Sequence, residues 1–295
     1  MLVLRSLLFA PGNHPRRVEK SLTLGADAVI LDLEDACPVL EKPASRSAVV
    51  AALQQPRDCL GYVRINALST EFAYQDLQSV VTCGVDGIVV PKVESADELK
   101  TVDWMVKQLE RERGLNSGAI DIIPIIESGA GIAAAGAIAS AGTRVRRMAF
   151  GAGDFTLDVG LKWSREELEL LPYRSALVLA SRVAGLEPPL DTVWVDLKDE
   201  EGFRLSAERV RGMGFQGKMC IHPSQVGPTH DAFTPTAAEF ARAQRVVEAF
   251  KAAEAAGSAA FQIDGQFVDY PIVYQAQRVV AAMARIAARG RPTSG

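Results

Sequence analysis

The sequence reads DIIPIIESG over residues 121–129 and MAFGAGDF over residues 148–155. Each stretch is an apolar, strand-like segment that ends in a carboxylate next to glycine, at Glu127 and at Asp154. If the two strands are parallel neighbours, their carboxyl ends and these side chains face the same point. Two carboxylates that leave room for water and substrate are typical of a site for a hard divalent cation such as Mg²⁺.

Composition and charge indicate one globular chain with a large core. The 295 residues are 48% hydrophobic and 23% charged, which suits a single barrel. The net charge is −4 and basic residues are spread along the chain, which argues against a nucleic-acid surface. The apolar run at the N-terminus lacks a basic leader and a cleavage site, so we expect a strand and a cytoplasmic protein without a membrane partner. The four cysteines form no CxxC pair, so neither a zinc ribbon nor a disulfide framework is expected.

Apolar runs bounded by glycine, proline and polar residues recur eight times, and we interpret them as buried parallel strands. They cover residues 7–12, 28–35, 61–66, 87–94, 121–128, 148–155, 191–197 and 218–223. Helical patterns cover residues 16–24, 45–53, 74–83, 96–113, 132–141, 166–184, 205–213 and 237–256. This alternation predicts an α/β protein with right-handed βαβ units, which close most economically as a TIM (β/α)₈ barrel. An open doubly wound sheet is the alternative.

The carboxyl ends of all strands in such a barrel converge on one mouth. The side chains expected there are mostly ionisable or polar: Asp32, Glu34, Asp35, Arg64, Asn66, Lys92, Glu94, Glu127, Asp154, Asp196 and His222. Arg64, Lys92 and Glu127 are not the residue types that cap a following helix, a role that favours Asp, Asn and Ser. Asp196 suits that role and is left out of the site. The planar guanidinium of Arg64 is suited to bidentate binding of a carboxylate.

Two acidic residues and several glycines flank this predicted centre. Glu34 and Asp35 follow the second strand, where they could hold metal-bound water or pair with basic residues of the next helix. Gly129 and Gly153 stand beside the two candidate metal ligands, together with Gly131 and Gly151. Glycine lets the main chain approach a ligand closely, so we expect N–H groups here to meet substrate oxygens.

The ordered motifs identify a family. RSLLFAPG, LDLEDA, VRIN, VVPKVE, IIESG, FGAGDF, KMCIHPSQV and GQFVDYP occur in this order. In order and spacing they resemble the citrate lyase β-subunit-like branch of the HpcH/HpaI aldolase superfamily, over essentially the whole chain. The resemblance implies a TIM barrel, Mg²⁺ with Mn²⁺ as an alternative, coenzyme A thioester substrates, and a homotrimer or dimer of trimers.

The resemblance also implies roles for single residues. Glu127 and Asp154 would ligate the metal, and Arg64 would hold the carboxylate of an α-keto acid such as glyoxylate, pyruvate or oxaloacetate. Asp269, in the VDYP motif, would reach the active site of a neighbouring subunit as an acid/base, or would only cap the last helix. We therefore divide the chain into a catalytic barrel over residues 1–257 and a C-terminal extension over residues 258–295.

Basic residues at the barrel rim are candidates for binding the nucleotide part of coenzyme A. Arg16, Arg17 and Lys20 follow the first strand, where they suit phosphate contacts or form a solvated helix face. Arg5 and Lys92 are further candidates that the resemblance supports. His222, at the eighth strand end, is expected only to line the site.

These features predict a carbon-carbon lyase. The expected reaction cleaves a 3-hydroxyacyl-CoA of the citramalyl-CoA or malyl-CoA type into acetyl-CoA and an α-keto acid, or runs in reverse. Three alternatives remain open: the β subunit of a citrate lyase complex acting on a citryl acyl-carrier protein, a class II aldolase acting on free hydroxy keto acids, and a noncatalytic barrel partner. The sequence does not rank the keto acids.

Overall fold

The computed structural model describes residues 3–255, 261–263 and 265–289. Eight strands form a closed barrel: β1 (Ser6–Pro11), β2 (Ala28–Asp32), β3 (Leu60–Arg64), β4 (Gly87–Val90), β5 (Asp121–Ile126), β6 (Ala149–Phe150), β7 (Leu190–Asp191) and β8 (Gly217–Cys220). Each strand pairs in parallel with its sequence neighbours, and β1 pairs with β8, where Ser6 lies opposite Lys218. The predicted TIM barrel is confirmed. The open sheet is excluded, because the two edge strands of an open sheet do not pair with each other.

Twelve α-helices lie in the described part of the chain: α1 (Pro15–Ser21), α2 (Lys42–Leu53), α3 (Ala73–Val80), α4 (Ala96–Glu112), α5 (Gly129–Ala133), α6 (Ala135–Ala139), α7 (Ala152–Asp158), α8 (Leu171–Val183), α9 (Glu200–Met213), α10 (Val226–Phe233), α11 (Ala237–Ala255) and α12 (Tyr270–Arg289). The predicted helix over residues 132–141 is two short helices, because the backbone leaves the helical region at Ala134. The predicted helix over 166–184 starts late, because Glu167 has a φ of +52° and Pro172 stands in the first turn of α8.

The interior of the barrel is filled by apolar side chains from alternate strand positions. Its members are Leu4, Leu7, Ala28, Ile30, Tyr62, Val89, Ile123, Ile125, Ala149, Leu190 and Met219. Period-two alternation along a strand sends the intervening side chains outward to the helices. The barrel is therefore a packed core, and chemistry is confined to its rim.

The chain divides into two compact units, Leu4–His230 and Met1–Val3 with Asp231–Gly295. In the second unit α11 and α12 pack around a core of their own, which includes Val246, Phe250 and Val273. Strands β9 (Phe261–Ile263) and β10 (Gln266–Val268) form an antiparallel hairpin in that unit. The predicted boundary at residue 257 lies outside the described residues. The compact units divide earlier, because α11 shares its core with α12.

None of the helices in the described ranges is both long and apolar enough to cross a bilayer.

Candidate active site

Strand register brings the first two site residues together at the carboxyl end of the barrel. Asp32 is the last residue of β2 and Arg64 the last of β3, and they are direct partners across the two strands. Arg64 Nε and Nη2 donate hydrogen bonds to the two oxygens of Asp32 at 2.7 and 2.6 Å. This bidentate pair uses two of the five guanidinium N–H groups, so three remain for other acceptors on the side where Glu34 and Asp35 lie.

Asp32 is a positioning residue rather than an open carboxylate. Its oxygens also accept the backbone N–H groups of Glu34 and Ala36, at 2.9 and 3.0 Å. Burial would raise the pKa of Asp32, but the charge and hydrogen bonds of Arg64 outweigh it and hold the pKa below its usual value. Burial likewise opposes the charge on Arg64, and Asp32 and Glu34 overcome it, so the pKa of Arg64 rises and the guanidinium stays charged. The Phe9 ring centre lies 5.0 Å from Arg64 Cζ and covers one face of the group.

A buried acid, Glu34, lies beside this pair. Its Oε1 accepts a hydrogen bond from Lys92 Nζ at 2.7 Å. Its Oε2 lies 2.8 Å from Arg64 Nη1, but the contact is misaligned and this buried oxygen has no hydrogen-bond partner within the described residues. Burial raises the pKa of Glu34 despite the opposing charge of Arg64. Asp35 is more open, with 57% of its side chain exposed, and lies 3.6 Å from both Arg64 Nη1 and Lys92 Nζ.

Lys92 links the two candidate metal ligands. Its backbone N–H donates to Glu127 Oε1 at 2.8 Å, and its ammonium nitrogen lies 3.7 Å from Asp154 Oδ1. Burial would lower the pKa of Lys92, but the hydrogen bond to Glu34 and the neighbouring carboxylates raise it, so the ammonium stays charged. The structure thus gathers Glu34, Asp35, Arg64, Lys92, Glu127 and Asp154 at one mouth, as the sequence predicts.

Glu127 is buried at the start of the loop after β5, only 4% exposed. Burial raises the pKa of Glu127 to about 8, and the charges of Asp154 and Glu34 add to the effect while Arg64 opposes it. Its carboxylate fits against Gly151: a Cβ built there would lie 2.4 Å from Glu127 Oε2. Gly151, three residues before Asp154, is therefore required by the side chain of the neighbouring strand end.

Asp154 lies in the first turn of α7, not in an extended strand as the sequence pattern suggests. The beginning of α7 is fixed by the Ala152 N–H, which donates to Thr192 Oγ1 at 2.9 Å. The end of α7 is fixed by Asp158, which accepts the Gly129 N–H at 2.7 Å. Sequence reasoning missed Thr192, since a threonine after a strand carries no distinctive signal. The Gly129 N–H, predicted to meet substrate, serves this helix instead.

A second layer of polar groups fixes the loop that carries Glu34. Lys42 is buried and donates to the main-chain oxygens of Leu33 and Glu34, at 2.6 and 2.7 Å, and to Asn66 Oδ1 at 2.7 Å. Asn66 is held by Asp76, which also accepts from Arg46 Nε at 2.7 Å. Lys42 therefore supports the backbone of Glu34, and does not pair with its carboxylate.

Arg5 is not part of the mouth. It precedes β1, so it lies at the opposite end of the barrel from Glu127 and Asp154. Its side chain forms two hydrogen bonds of 2.9 Å with Asp27, which precedes β2 at that same end. This is a correction to the predicted role in binding coenzyme A: the direction of the first strand carries Arg5 away from the site.

The remaining predicted residues lie near the mouth or in the other unit. Arg16, Arg17 and Lys20 are exposed on α1, without an ion pair among the described residues. His222 follows β8, is exposed, and has Nδ1 2.8 Å from Ser224 Oγ. Gly153 is exposed in α7, next to Asp154. Asp269 belongs to the C-terminal unit, directly before α12.

The mouth carries more negative than positive charge. Five carboxyl groups, those of Asp32, Glu34, Asp35, Glu127 and Asp154, face the two cationic groups of Arg64 and Lys92. Within the described ranges, no cluster of three or more His, Cys, Asp or Glu side chains has the geometry of a metal site. A site with only two protein ligands is compatible with that finding, because Mg²⁺ is commonly held by one or two carboxylates with water and substrate.

Comparison with known proteins identifies the family of this chain. Residues 5–223 match the model of the family HpcH/HpaI aldolase/citrate lyase. The chain is 36% identical over 282 residues to citrate lyase subunit beta of Haemophilus influenzae, covering 95% of this chain and 97% of the relative. It is 35% identical over 306 residues to the L-malyl-CoA/beta-methylmalyl-CoA lyase of Rhodobacter capsulatus, with 96% of each chain covered.

A solved structure is similar over the same length. It is the protein CitE of Mycobacterium tuberculosis in complex with magnesium, acetoacetate and coenzyme A, with 30% identity and a TM-score of 0.77. The similarity covers 95% of this chain and 98% of that one. The chain therefore belongs to the HpcH/HpaI aldolase/citrate lyase family and is a lyase similar to the citrate lyase β subunits.

Proposed function

We propose that this protein is a Mg²⁺-dependent lyase that cleaves a 3-hydroxyacyl-CoA of the citramalyl-CoA or malyl-CoA type into acetyl-CoA and an α-keto acid, or catalyses the reverse condensation. The strongest support is that one mouth joins a largely buried guanidinium, which suits a carboxylate, to Glu127 and Asp154, which suit a hard cation. At the end that carries its hydroxyl group, a hydroxy acid needs both a cation and a guanidinium.

The residues present fit a divalent cation, with Mn²⁺ as an alternative to Mg²⁺. The excess of carboxylates leaves negative charge for the ion to balance, and Glu34 Oε2, which lies near Arg64 Nη1 without an aligned hydrogen bond, can accept from metal-bound water. Gly151 leaves space for the Glu127 carboxylate. Glu127 and Asp154 would hold the ion, which when bound polarises the hydroxyl and carboxylate oxygens of the substrate as a Lewis acid.

The chain's own residues then orient the substrate and manage one proton. Arg64, locked by Asp32, grips the substrate carboxylate with the outer edge of its guanidinium. As the hydroxyl becomes a carbonyl and loses its proton, the C–C bond breaks and its electron pair passes to the thioester as an enolate. Asp269, from a neighbouring subunit, takes up the hydroxyl proton as a base and returns it to the enolate carbon as an acid. Arg16 and Lys20 remain candidates for the phosphates of coenzyme A.

A cleavage screen tests the proposal. Malyl-CoA, citramalyl-CoA and free hydroxy keto acids are incubated with the protein, with and without Mg²⁺, beside Glu127→Ala and Asp269→Asn. We expect Mg²⁺-dependent release of acetyl-CoA from one of the thioesters, and loss of turnover in both variants. Full turnover in both variants would refute the assigned residues, and cleavage of free acids alone would favour an aldolase.

A second candidate is citryl thioester cleavage as the β subunit of a citrate lyase complex. It is favoured by the 36% identity to citrate lyase subunit beta across nearly the whole chain. Adding citryl-CoA and a citryl acyl-carrier protein to the screen separates the two candidates. Turnover of the carrier-protein thioester alone would identify the complex subunit, and absence of any turnover together with absence of Mg²⁺ binding would favour a noncatalytic partner.

A further inference from the structure

Lys92 has a backbone conformation that lysine rarely adopts. Its φ is +52°, and among the described residues only Glu167 shares a positive φ without being glycine. Such a conformation is strained for a residue with a side chain and persists only where the surroundings enforce it. Here the conformation aims the Lys92 N–H at Glu127 Oε1.

The neighbouring loop is held on several sides, which explains how the strain is maintained. The Val93 N–H donates to the Ile125 oxygen at 3.2 Å. Ser128 Oγ donates to Glu94 Oε1 at 2.6 Å. A Cβ on Gly131 would lie 2.7 Å from the Val93 oxygen, so the loop lies directly against the start of α5. The position of Lys92 is thus set by the fold rather than by its own preference.

The side chain of Lys92 points back into the mouth. Its ammonium nitrogen is 2.7 Å from Glu34 Oε1, 3.6 Å from Asp35 Oδ1 and 3.7 Å from Asp154 Oδ1. A lysine that served only to bind phosphate would gain nothing from a location among carboxylates. Instead, the Lys92 ammonium places one fixed positive charge beside Asp154, which a divalent cation would also need.

We propose that Lys92 is an internal competitor of the divalent cation and that its ammonium sets the affinity of the site for the metal. The inference rests on the proposed function, because it takes Glu127 and Asp154 as the metal ligands. Two cations that share Asp154 repel each other, and this repulsion is strong in a partly buried site.

The test is isothermal titration of the full-length, metal-free protein with MgCl₂ and with MnCl₂, without substrate. Lys92→Met removes the charge and keeps the carbon chain, so we expect it to bind the metal about tenfold more tightly, or about 1.4 kcal/mol. Lys92→Arg keeps the charge and should stay within about threefold of the wild type. Lys100→Met, which loses an exposed ammonium 3.0 Å from Asp97 on α4, controls for net charge and should not change the affinity.

A fourth variant protects the test against misfolding. Lys92→Gly removes the ammonium and also relaxes the positive φ, so it retains the N–H that Glu127 needs. It should bind metal more tightly than the wild type as well. Affinity in Lys92→Met and Lys92→Gly that is equal to or weaker than the wild type would overturn the inference, and so would Lys92→Arg binding as tightly as Lys92→Met.

The titration also separates this inference from the proposed function. Wild-type binding of Mg²⁺ with no gain in the uncharged variants overturns only the role of Lys92. Absence of binding in the wild type and in every variant overturns both proposals. Binding that emerges only when the ammonium is removed supports the competition, and the cleavage screen then decides the function alone.

Discussion

Gly151 gives the Glu127 carboxylate the space it occupies beside the start of α7. A Cβ at this position would lie 2.4 Å from Glu127 Oε2 and 2.6 Å from its Cβ, both closer than real contacts. We therefore predict that Gly151→Ala turns the Glu127 side chain away and weakens Mg²⁺ binding by about tenfold or more, since ligand orientation controls metal affinity. Calorimetric titration with Mg²⁺ measures the loss, and a thermal melt checks that the fold is kept.

Gly153→Ala is the matched control two residues later. Nothing lies within 4 Å of a Cβ built on Gly153, which is exposed in α7. Alanine is also a better helix former than glycine, so this variant should bind Mg²⁺ as the wild type does. Equal losses in the two variants would show that helix flexibility, rather than the space beside Glu127, determines the affinity.

Arg64 has a structural partner, Asp32, that must be separated from its proposed role toward substrate. Arg64→Met leaves Asp32 buried without its counter-charge, which typically costs about 3–5 kcal/mol of unfolding free energy. Adding Asp32→Asn removes that charge, so the double variant should regain most of the lost stability. Activity should stay at least about a hundredfold below the wild type in both, because the substrate carboxylate has lost its clamp.

Chemical denaturation and kcat/KM of the two single variants and the double variant complete this cycle. Recovery of activity together with stability in the double variant would mean that Arg64 acts only through the ion pair. If adding Asp32→Asn does not restore the stability lost in Arg64→Met, the uncompensated charge of Asp32 is not the cause of that loss.

Residue types at strand ends predict most of the side chains at the mouth of the barrel. The contacts among them depend on the three-dimensional register of the strands. Arg64 and Glu127 were predicted because such residues are poor helix caps. The role of Asp32 depends on its alignment with Arg64 across β2 and β3, which no local pattern encodes. The positive φ of Lys92 is likewise imposed by its surroundings, and lysine itself gives no signal for it.

At the level of elements, the strands were predictable because each is a short apolar run with turn residues on both sides. The helix α7 was not, because it has only seven residues and contains a glycine. Isolated helices of that length are unstable, so contacts must hold it. Thr192 at its beginning and Gly129 at its end provide those contacts, and both come from distant parts of the sequence.

The layer between β7, β8 and the helices α8 and α9 contains a fully buried ionic network. Arg174 donates to Glu167 at 3.0 Å and to Asp191 at 2.8 Å. Lys218 also pairs with Asp191, and Ser206 Oγ donates to Glu167 at 2.7 Å. The two positive and two negative charges balance, so the network connects strands and helices without leaving a net buried charge.

We predict that Arg174→Met lowers the unfolding free energy by about 3–5 kcal/mol, because Glu167 and Asp191 then keep buried charge without compensation. Arg204→Met is the control: its pair with Glu208 is exposed on α9, and such pairs contribute less than about 1 kcal/mol. Urea denaturation of both variants measures the difference. Similar small losses of unfolding free energy in Arg174→Met and Arg204→Met would show that burial of the network does not contribute to stability.

The same network predicts the sign of a pH effect. Burial alone would raise the pKa of Asp191, but Lys218 and Arg174 lower it below its model-peptide value. A carboxyl with a lowered folded pKa stabilises the fold above its unfolded pKa, and this contribution is lost as the pH falls through the folded pKa. The stability gap between wild type and Arg174→Met should therefore be full near neutral pH and shrink below about pH 4.

On the scale of the whole molecule, the chain consists of a barrel unit and a C-terminal unit, and the proposed chemistry draws on both. The proposed metal ligands and Arg64 lie in the barrel unit, whereas Asp269 lies in the other, with its backbone oxygen accepting the Val273 N–H at 3.0 Å. No hydrogen bond of its carboxylate is found among the described residues. That leaves the Asp269 side chain available for the proton transfer proposed above.

If Asp269 completes the site of a neighbouring subunit, two inactive variants should complement each other. Glu127→Ala and Asp269→Asn, mixed in equal amounts, unfolded and refolded together, would form some sites with an intact Glu127 from one subunit and an intact Asp269 from the next. Random assembly gives such sites about a quarter of the time in a cyclic oligomer, so we expect about a quarter of wild-type turnover. Refolding each variant alone is the control. If the mixture stays inactive while refolded wild type recovers, each site uses the Asp269 of its own subunit.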